Sequence, residues 1–185
     1  MSCAIKTVSG ESPELTLTGT WRKPSCNCCR STHPSSDSPV GNVVFPPAMS
    51  TAIMVDQRSC VLLVWRCQLA DVWGWEAPCG GARACETGPE AAARRTIEET
   101  GWKPIGLKQL IVFQSTSHGM DALHKVYVAR RAVMVDRPPN HVDPSVVRWI
   151  PMADIPALIR EREILGAGSL VGLMALLTGI GPLGH

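Results

Sequence analysis

The sequence predicts one layered α/β domain, and three observations predict it. A helix over about Pro89–Thr100 is marked at both of its ends. Short runs rich in Val, Ile and Leu stand on either side of that helix. Two more helical stretches close the chain. Strands around a helix, followed by further strands and helices, bury their apolar faces by stacking in layers.

The elements follow in chain order. Residues 1–38 are rich in Ser, Thr, Pro and Cys without periodicity, and read as a flexible segment ahead of a domain over 39–185. Order is expected to begin near Val43–Phe45. Thr51–Val55 and Cys60–Arg66 are apolar runs flanking the polar turn Asp56–Ser59, which reads as a β-hairpin. Trp73–Glu76 reads as a short strand. The helix then opens on Thr87-Gly88-Pro89-Glu90. Thr87 can accept from a free backbone N–H while Glu90 reaches back, and Pro89 sits where a missing N–H costs nothing. Ala91, Ala92, Ala93 and Arg94 favour helix, and Gly101 supplies a left-handed end. Gln109–Phe113, Lys125–Arg130 and Val146–Ile150 are three more strands. Met152–Glu161 and Gly168–Leu177 are the closing helices.

Composition narrows the function. The chain has 185 residues, 45% hydrophobic and 18% charged, enough for one substantial core. A net charge of +2 gives no reason to expect nucleic acid or an anionic membrane. No helix-turn-helix segment or basic surface suggests a transcription regulator. The chain contains eight cysteines. Met1–Gly10 lacks the apolar core of a secretory signal, so the cysteines read as reduced and the protein as cytoplasmic. Cys26, Cys28, Cys29 and His33 could form a zinc site, but the spacing is tight for a tetrahedral ion and lacks a second arm, so flexible sequence is the preferred reading. Ile164–Gly184 is uncharged but diluted by glycines, and reads as a buried terminal helix rather than a membrane span.

The chemistry concentrates at the end of the central helix. Glu98 and Glu99 are adjacent carboxylates where the helix dipole favours cations. A divalent metal bound there would remove the cost, since carboxylate oxygens are what magnesium prefers. The spacing is specific: Gly80, five residues, Glu86, seven residues, Arg94, then Glu98-Glu99-Thr100-Gly101-Trp102. This resembles the Nudix box, G-x5-E-x7-R-E-U-x-E-E-x-G-U, where U is bulky and apolar. Trp75-Glu76-Ala77-Pro78-Cys79-Gly80 resembles the W-E-L-P-G-G lead-in. Gly168–Leu173 resembles the last helix of ADP-ribose-pyrophosphatase-like members. The resemblance covers about residues 43–178.

That resemblance implies the Nudix fold, a mixed β-sheet between α-helices. It also implies a hydrolase that cuts the pyrophosphate bond of a small nucleoside diphosphate linked to another group, ADP-ribose or a nucleotide sugar, with Mg2+ or Mn2+. Glu98, Glu99, Glu76 and the Cys79 carbonyl are the implied metal ligands. Glu98, Glu99 and Asp143 are the implied catalytic residues; Arg94, Arg95 and Trp75 are expected to contact the substrate, Trp75 by stacking on a base. Arg94 and Glu86 would also pair to tie loop to helix. A homodimer is left open.

Two departures matter. The box asks for glutamate after its arginine, and this chain has Arg95; Thr96 replaces the usual apolar residue. Taking Arg95 as the motif arginine instead requires one insertion near Gly88 and one deletion before Glu98, and a glutamate is still missing. Arg95 stands four residues before Glu99 on one helical face and is expected to compete with metal. Only Asp143 is acidic just before the late strand. His124 is a second candidate base, although a lone histidine beside a strand is commonly structural. The alternative reading is therefore a Nudix-fold nucleotide-binding or regulatory module with weak or no catalysis.

Overall fold

The computed structural model describes residues 47–67, 72–116, 122–135 and 147–181. The 1–38 segment with its cysteine cluster, the expected start at Val43–Phe45, and Asp143 lie outside the described residues.

The elements run β1 (Met49–Met54), β2 (Cys60–Cys67), β3 (Trp73–Glu76), β4 (Cys79–Gly81), α1 (Gly88–Thr100), β5 (Trp102–Ile105), β6 (Lys108–Gln114), β7 (Leu123–Ala129), β8 (Arg131–Met134), β9 (Val147–Pro151), α2 (Ile155–Arg160) and α3 (Ala167–Leu177). They build a four-stranded sheet in the order β4-β1-β7-β6, a three-stranded sheet β3-β2-β9 and a ribbon β5-β8. The first sheet is mixed: β1 runs parallel to β7 and antiparallel to β4.

Alternation along β1 and β7 puts a helix on each face of that sheet. Ala52 and Tyr127 pack against Ala92 of α1. Their neighbours Ile53, Val126 and Val128 face the main core with Leu173 and Ala175 of α3. The α3 contact is close because Gly172 has no side chain: a Cβ there would stand 2.8 Å from Val126 Cγ1 and 3.0 Å from Ile53 Cγ1. A third cluster joins Met54, Leu62 and Ala129 to Trp102 and Trp149, whose rings meet edge to face with centroids 5.4 Å apart. No helix among the described residues is long and apolar enough to cross a membrane.

The helix signals read from sequence are realised in α1. Thr87 and Glu90 form a reciprocal capping box, Pro89 lies in the first turn, and Gly101 ends the helix at φ 75°. The expected hairpin is corrected. The turn is present, with the Asp56 carboxylate accepting from the backbone N–H of Arg58 and Cys60 at 2.9 and 2.7 Å. The strands leaving it enter different sheets and share only the Val55–Val61 bridge. Consecutive residues are buried in both strands, Ser50–Met54 in β1 and Val61–Val64 in β2, so each needs cover on both faces and becomes an interior strand of its own sheet. The short strands β4, β5 and β8 have no counterpart in the sequence reading. Each is three or four residues long and lacks a clear alternation.

Candidate functional site

The site forms where β4, the loop that follows it and the C-terminal half of α1 meet the ends of β2 and β3. Arg94 binds the loop to the helix. Its Nε and Nη2 donate to the two oxygens of Glu86 at 2.7 and 2.9 Å, Nη2 donates to the Gly81 carbonyl at 3.1 Å, and Nη1 donates to Glu98 at 3.1 Å. The Glu86 carboxylate also accepts from the Arg83 backbone N–H. These hydrogen bonds, Arg94 foremost, hold Glu86 down to about 2 from an ordinary 4.5. Glu86 therefore pairs with Arg94, the arginine that the ungapped box spacing selects.

Arg95 points the other way, across β4. Its Nε donates to the Cys79 carbonyl at 3.0 Å, Nη1 to Glu98 at 3.2 Å and Nη2 to Glu99 at 2.5 Å. The second oxygen of Glu99 accepts from Nη2 of Arg66 at 2.5 Å, and Arg66 Nε lies 3.3 Å from Glu76. Glu76 and Glu99 are both buried. Burial works against the charge on Arg66, but Glu99, and then Glu76, outweigh it and raise the guanidinium pKa. Burial pushes Glu98 up; hydrogen bonds and charge from Arg94 and Arg95 prevail and leave its pKa lowered. Burial, joined by Glu76 and Glu99, pushes the Cys79 thiol up to about 11.

The structure thus brings together Glu76, Cys79, Arg94, Arg95, Glu98 and Glu99. Arg66 was not singled out in the sequence. The signal for it is the β2–β3 register: Arg66 lies opposite Gly74 and diagonal to Glu76, so the two side chains share a sheet face. Trp75 points to the other face. It meets Trp65 edge to face at 5.2 Å and has the Arg148 guanidinium 6.0 Å from its ring centroid. His124 is buried, bonded to Thr51 Oγ1 at 2.7 Å and stacked on Phe113, and burial lowers its pKa. Thr96 is fully buried, its hydroxyl satisfied by the Ala92 carbonyl at 2.7 Å.

The carboxylates of Glu76, Glu98 and Glu99 and the Cys79 carbonyl are the oxygen class that magnesium or manganese takes. Each is held by Arg66 or Arg95. Among the described residues four carboxylates, Glu76, Glu86, Glu98 and Glu99, meet four guanidinium groups, Arg66, Arg83, Arg94 and Arg95, so their formal charges balance. With these arginines seated the acceptor set does not fit a divalent ion. What the arrangement presents to a ligand is guanidinium, the group suited to forked contacts with phosphate oxygens.

Residues 44–166 match the model of the NUDIX domain. A curated relative from Streptomyces rubellomurinus, a CMP-5'-(N-acetyl-N-hydroxy-3-aminopropyl)phosphonate hydrolase, is 30% identical over 145 residues, 78% of this chain and 70% of its own. Among solved structures, a NUDIX hydrolase from Nitrosomonas europaea superposes with a TM-score of 0.59 at 18% identity, covering 75% of this chain and 93% of the other. An ADP compounds hydrolase superposes with a TM-score of 0.58 at 17% identity, covering 75% and 77%. At those identities the solved structures speak for the fold alone.

Proposed function

Because the chain belongs to the Nudix family, we propose that it hydrolyses a phosphoric anhydride-type bond joining a nucleoside monophosphate to a second phosphorus-bearing group. The supporting observation is the convergence of Glu76, Glu98, Glu99, Arg66 and Arg95 from β3, α1 and β2 at one place. Guanidinium groups positioned by carboxylates are suited to hold a chain of phosphate oxygens. Water attacks one phosphorus, its oxygen forms the new P–O bond, the bridging P–O bond breaks, and a proton leaves with the products. Glu98 and Glu99 are the proposed acceptors for that proton, with Asp143 as a further one. Glu98 is held ionised by its arginine partners, which makes it a weak base.

The sequence resemblance points to ADP-ribose or a nucleotide sugar as the substrate. The name of the Streptomyces relative points to a cytidine monophosphate joined to a phosphonate. Nudix enzymes generally use a divalent metal, and the resemblance implies Mg2+ or Mn2+, an ion that the acceptor set does not fit while Arg66 and Arg95 are seated. A second reading, a nucleotide-binding module with weak catalysis, is favoured by one observation: Arg95 and Arg66 hold all four acceptors that such an ion would need.

The deciding experiment incubates the full chain with ADP-ribose, a nucleotide sugar and a CMP–phosphonate conjugate, each with Mg2+, Mn2+ or chelator. Chromatography follows release of the nucleoside monophosphate. Turnover of any compound supports the hydrolase; thermal stabilisation by a compound that is never cleaved supports the binding module. Arg95→Glu is expected to raise the metal-dependent rate. A wild-type rate of roughly 1 per second or faster that Arg95→Glu lowers would instead make Arg95 a working phosphate clamp.

A further inference from the structure

We infer that Arg95, braced by Arg66, is a built-in cation that replaces a divalent metal in the carboxylate–carbonyl cradle of this chain. The inference rests on the family reading only in taking Cys79, Glu98 and Glu99 as the cradle, not on any turnover.

Three observations carry it. The first is saturation. One planar guanidinium satisfies three acceptors from two elements, the Cys79 carbonyl on β4 and Glu98 and Glu99 on α1. Glu99 is left no oxygen without a cation, since Arg66 takes the other. The second is the seat. A Cβ at Gly80 would fall 2.4 Å from Arg95 Nε, 2.7 Å from Cδ and 2.9 Å from Cγ. The arginine stem lies directly over the bare Cα of β4, so the seat requires glycine beneath it. The third is charge. Among the described residues the cluster is already neutral, and a guanidinium cannot neutralise itself by losing a proton. A divalent ion would have to enter beside two fixed cations or expel a well-packed side chain from a part-buried place.

Helix spacing makes this a one-residue device. Arg95 reaches Glu98 at i+3 and Glu99 at i+4, the positions one turn on. Replacing it with a neutral residue frees the Cys79 carbonyl and one oxygen of Glu99 together, and leaves Oε2 of Glu98 with Arg94 alone.

The test is Mn2+ binding by the full chain without nucleotide, followed by calorimetry and by the loss of the free-ion paramagnetic resonance signal. Wild type, Arg95→Ala, Arg95→Gln and Glu99→Gln are compared after circular dichroism and melting confirm that each is folded. Arg95→Ala and Arg95→Gln are expected to take up about one Mn2+ per chain, with an apparent dissociation constant lower than wild type by about 100-fold or more. Adding Glu99→Gln to either should abolish that gain. Wild-type uptake that Glu99→Gln does not alter lies outside the cradle and accords with the inference. The inference is overturned if wild type binds one Mn2+ per chain as tightly as Arg95→Ala and loses it with Glu99→Gln. It is equally overturned if removing Arg95 leaves a folded chain that still takes up none. Absence of cleavage across the substrate panel would reject the hydrolase reading and leave this measurement untouched.

Discussion

Replacing Arg94 with alanine removes the clamp between the β4 loop and α1 and should cost stability more than chemistry. The side chain makes four hydrogen bonds, two to Glu86, one to Glu98 and one to the Gly81 carbonyl. A hydrogen bond to a charged group contributes about 1.5–3 kcal/mol when well shielded, whereas an exposed ion pair contributes about 0–1 kcal/mol. Arg94 and Glu86 side chains are 18% and 14% exposed, which places the pair between those limits. Once Arg94 is gone, water reaches Glu86, and Glu98 keeps Arg83 and Arg95. A net loss of about 2–3 kcal/mol follows, or roughly 4–12 °C in melting temperature for a domain of this size. Urea unfolding at pH 7 of wild type, Arg94→Ala, Glu86→Gln and the double variant measures it, with a coupling energy of about 1–2 kcal/mol expected between the two sites. A loss below about 0.5 kcal/mol, with no coupling, would refute the clamp.

Other expectations follow from the same geometry. Glu86 has a folded pKa near 2 against an ordinary 4.5, so its contribution to stability is complete above about 4.5 and is lost as pH falls through about 2; Glu86→Gln should flatten that part of an acid-unfolding profile. Gly168→Ala would put a Cβ 2.2 Å from His124 Nε2 and 2.4 Å from Thr51 Oγ1. Overpacking and the strained Thr51–His124 bond should cost about 2–4 kcal/mol in denaturant unfolding, and a neutral substitution would show that α3 can move away. At pH 8, peptide mapping after brief alkylation should find Cys67 and Cys85, both exposed, labelled ahead of Cys79, whose thiol is half-buried and raised to about 11. Early labelling of Cys79 would mean that β4 opens readily.

The parts of this structure legible in the sequence are those with local causes. Thr87, Pro89, Glu90 and Gly101 each act within a turn of the residue they cap, so α1 ends within a residue of its expected bounds. The Arg95–Glu99 pair was legible because the two residues stand one helical turn apart. Arg66 escaped notice because its partners are Glu76 across a strand pair and Glu99, 33 residues on; neither proximity exists until β2 and β3 are in register. The same limit explains the misread hairpin. Two apolar runs about a polar turn look alike whether the strands pair or part, and the difference lies in which other strands cover them. The resemblance located the cradle, but that its acceptors are all held by guanidinium required the folded geometry.

Arg94 and Arg95 are neighbours with separable duties. One faces outward to the loop and fixes shape; the other faces β4 and fixes the charge of the cradle. Neither shares its principal partner with the other, Glu86 in one case and the Cys79 carbonyl in the other, and only Glu98 is common to both. The inner residue can therefore be exchanged, and the charge of the cluster with it, while the outer one keeps the loop folded. Variation at position 95 should change the charge of the cluster and leave the loop in place, and variation at position 94 should be tolerated only in proportion to spare stability.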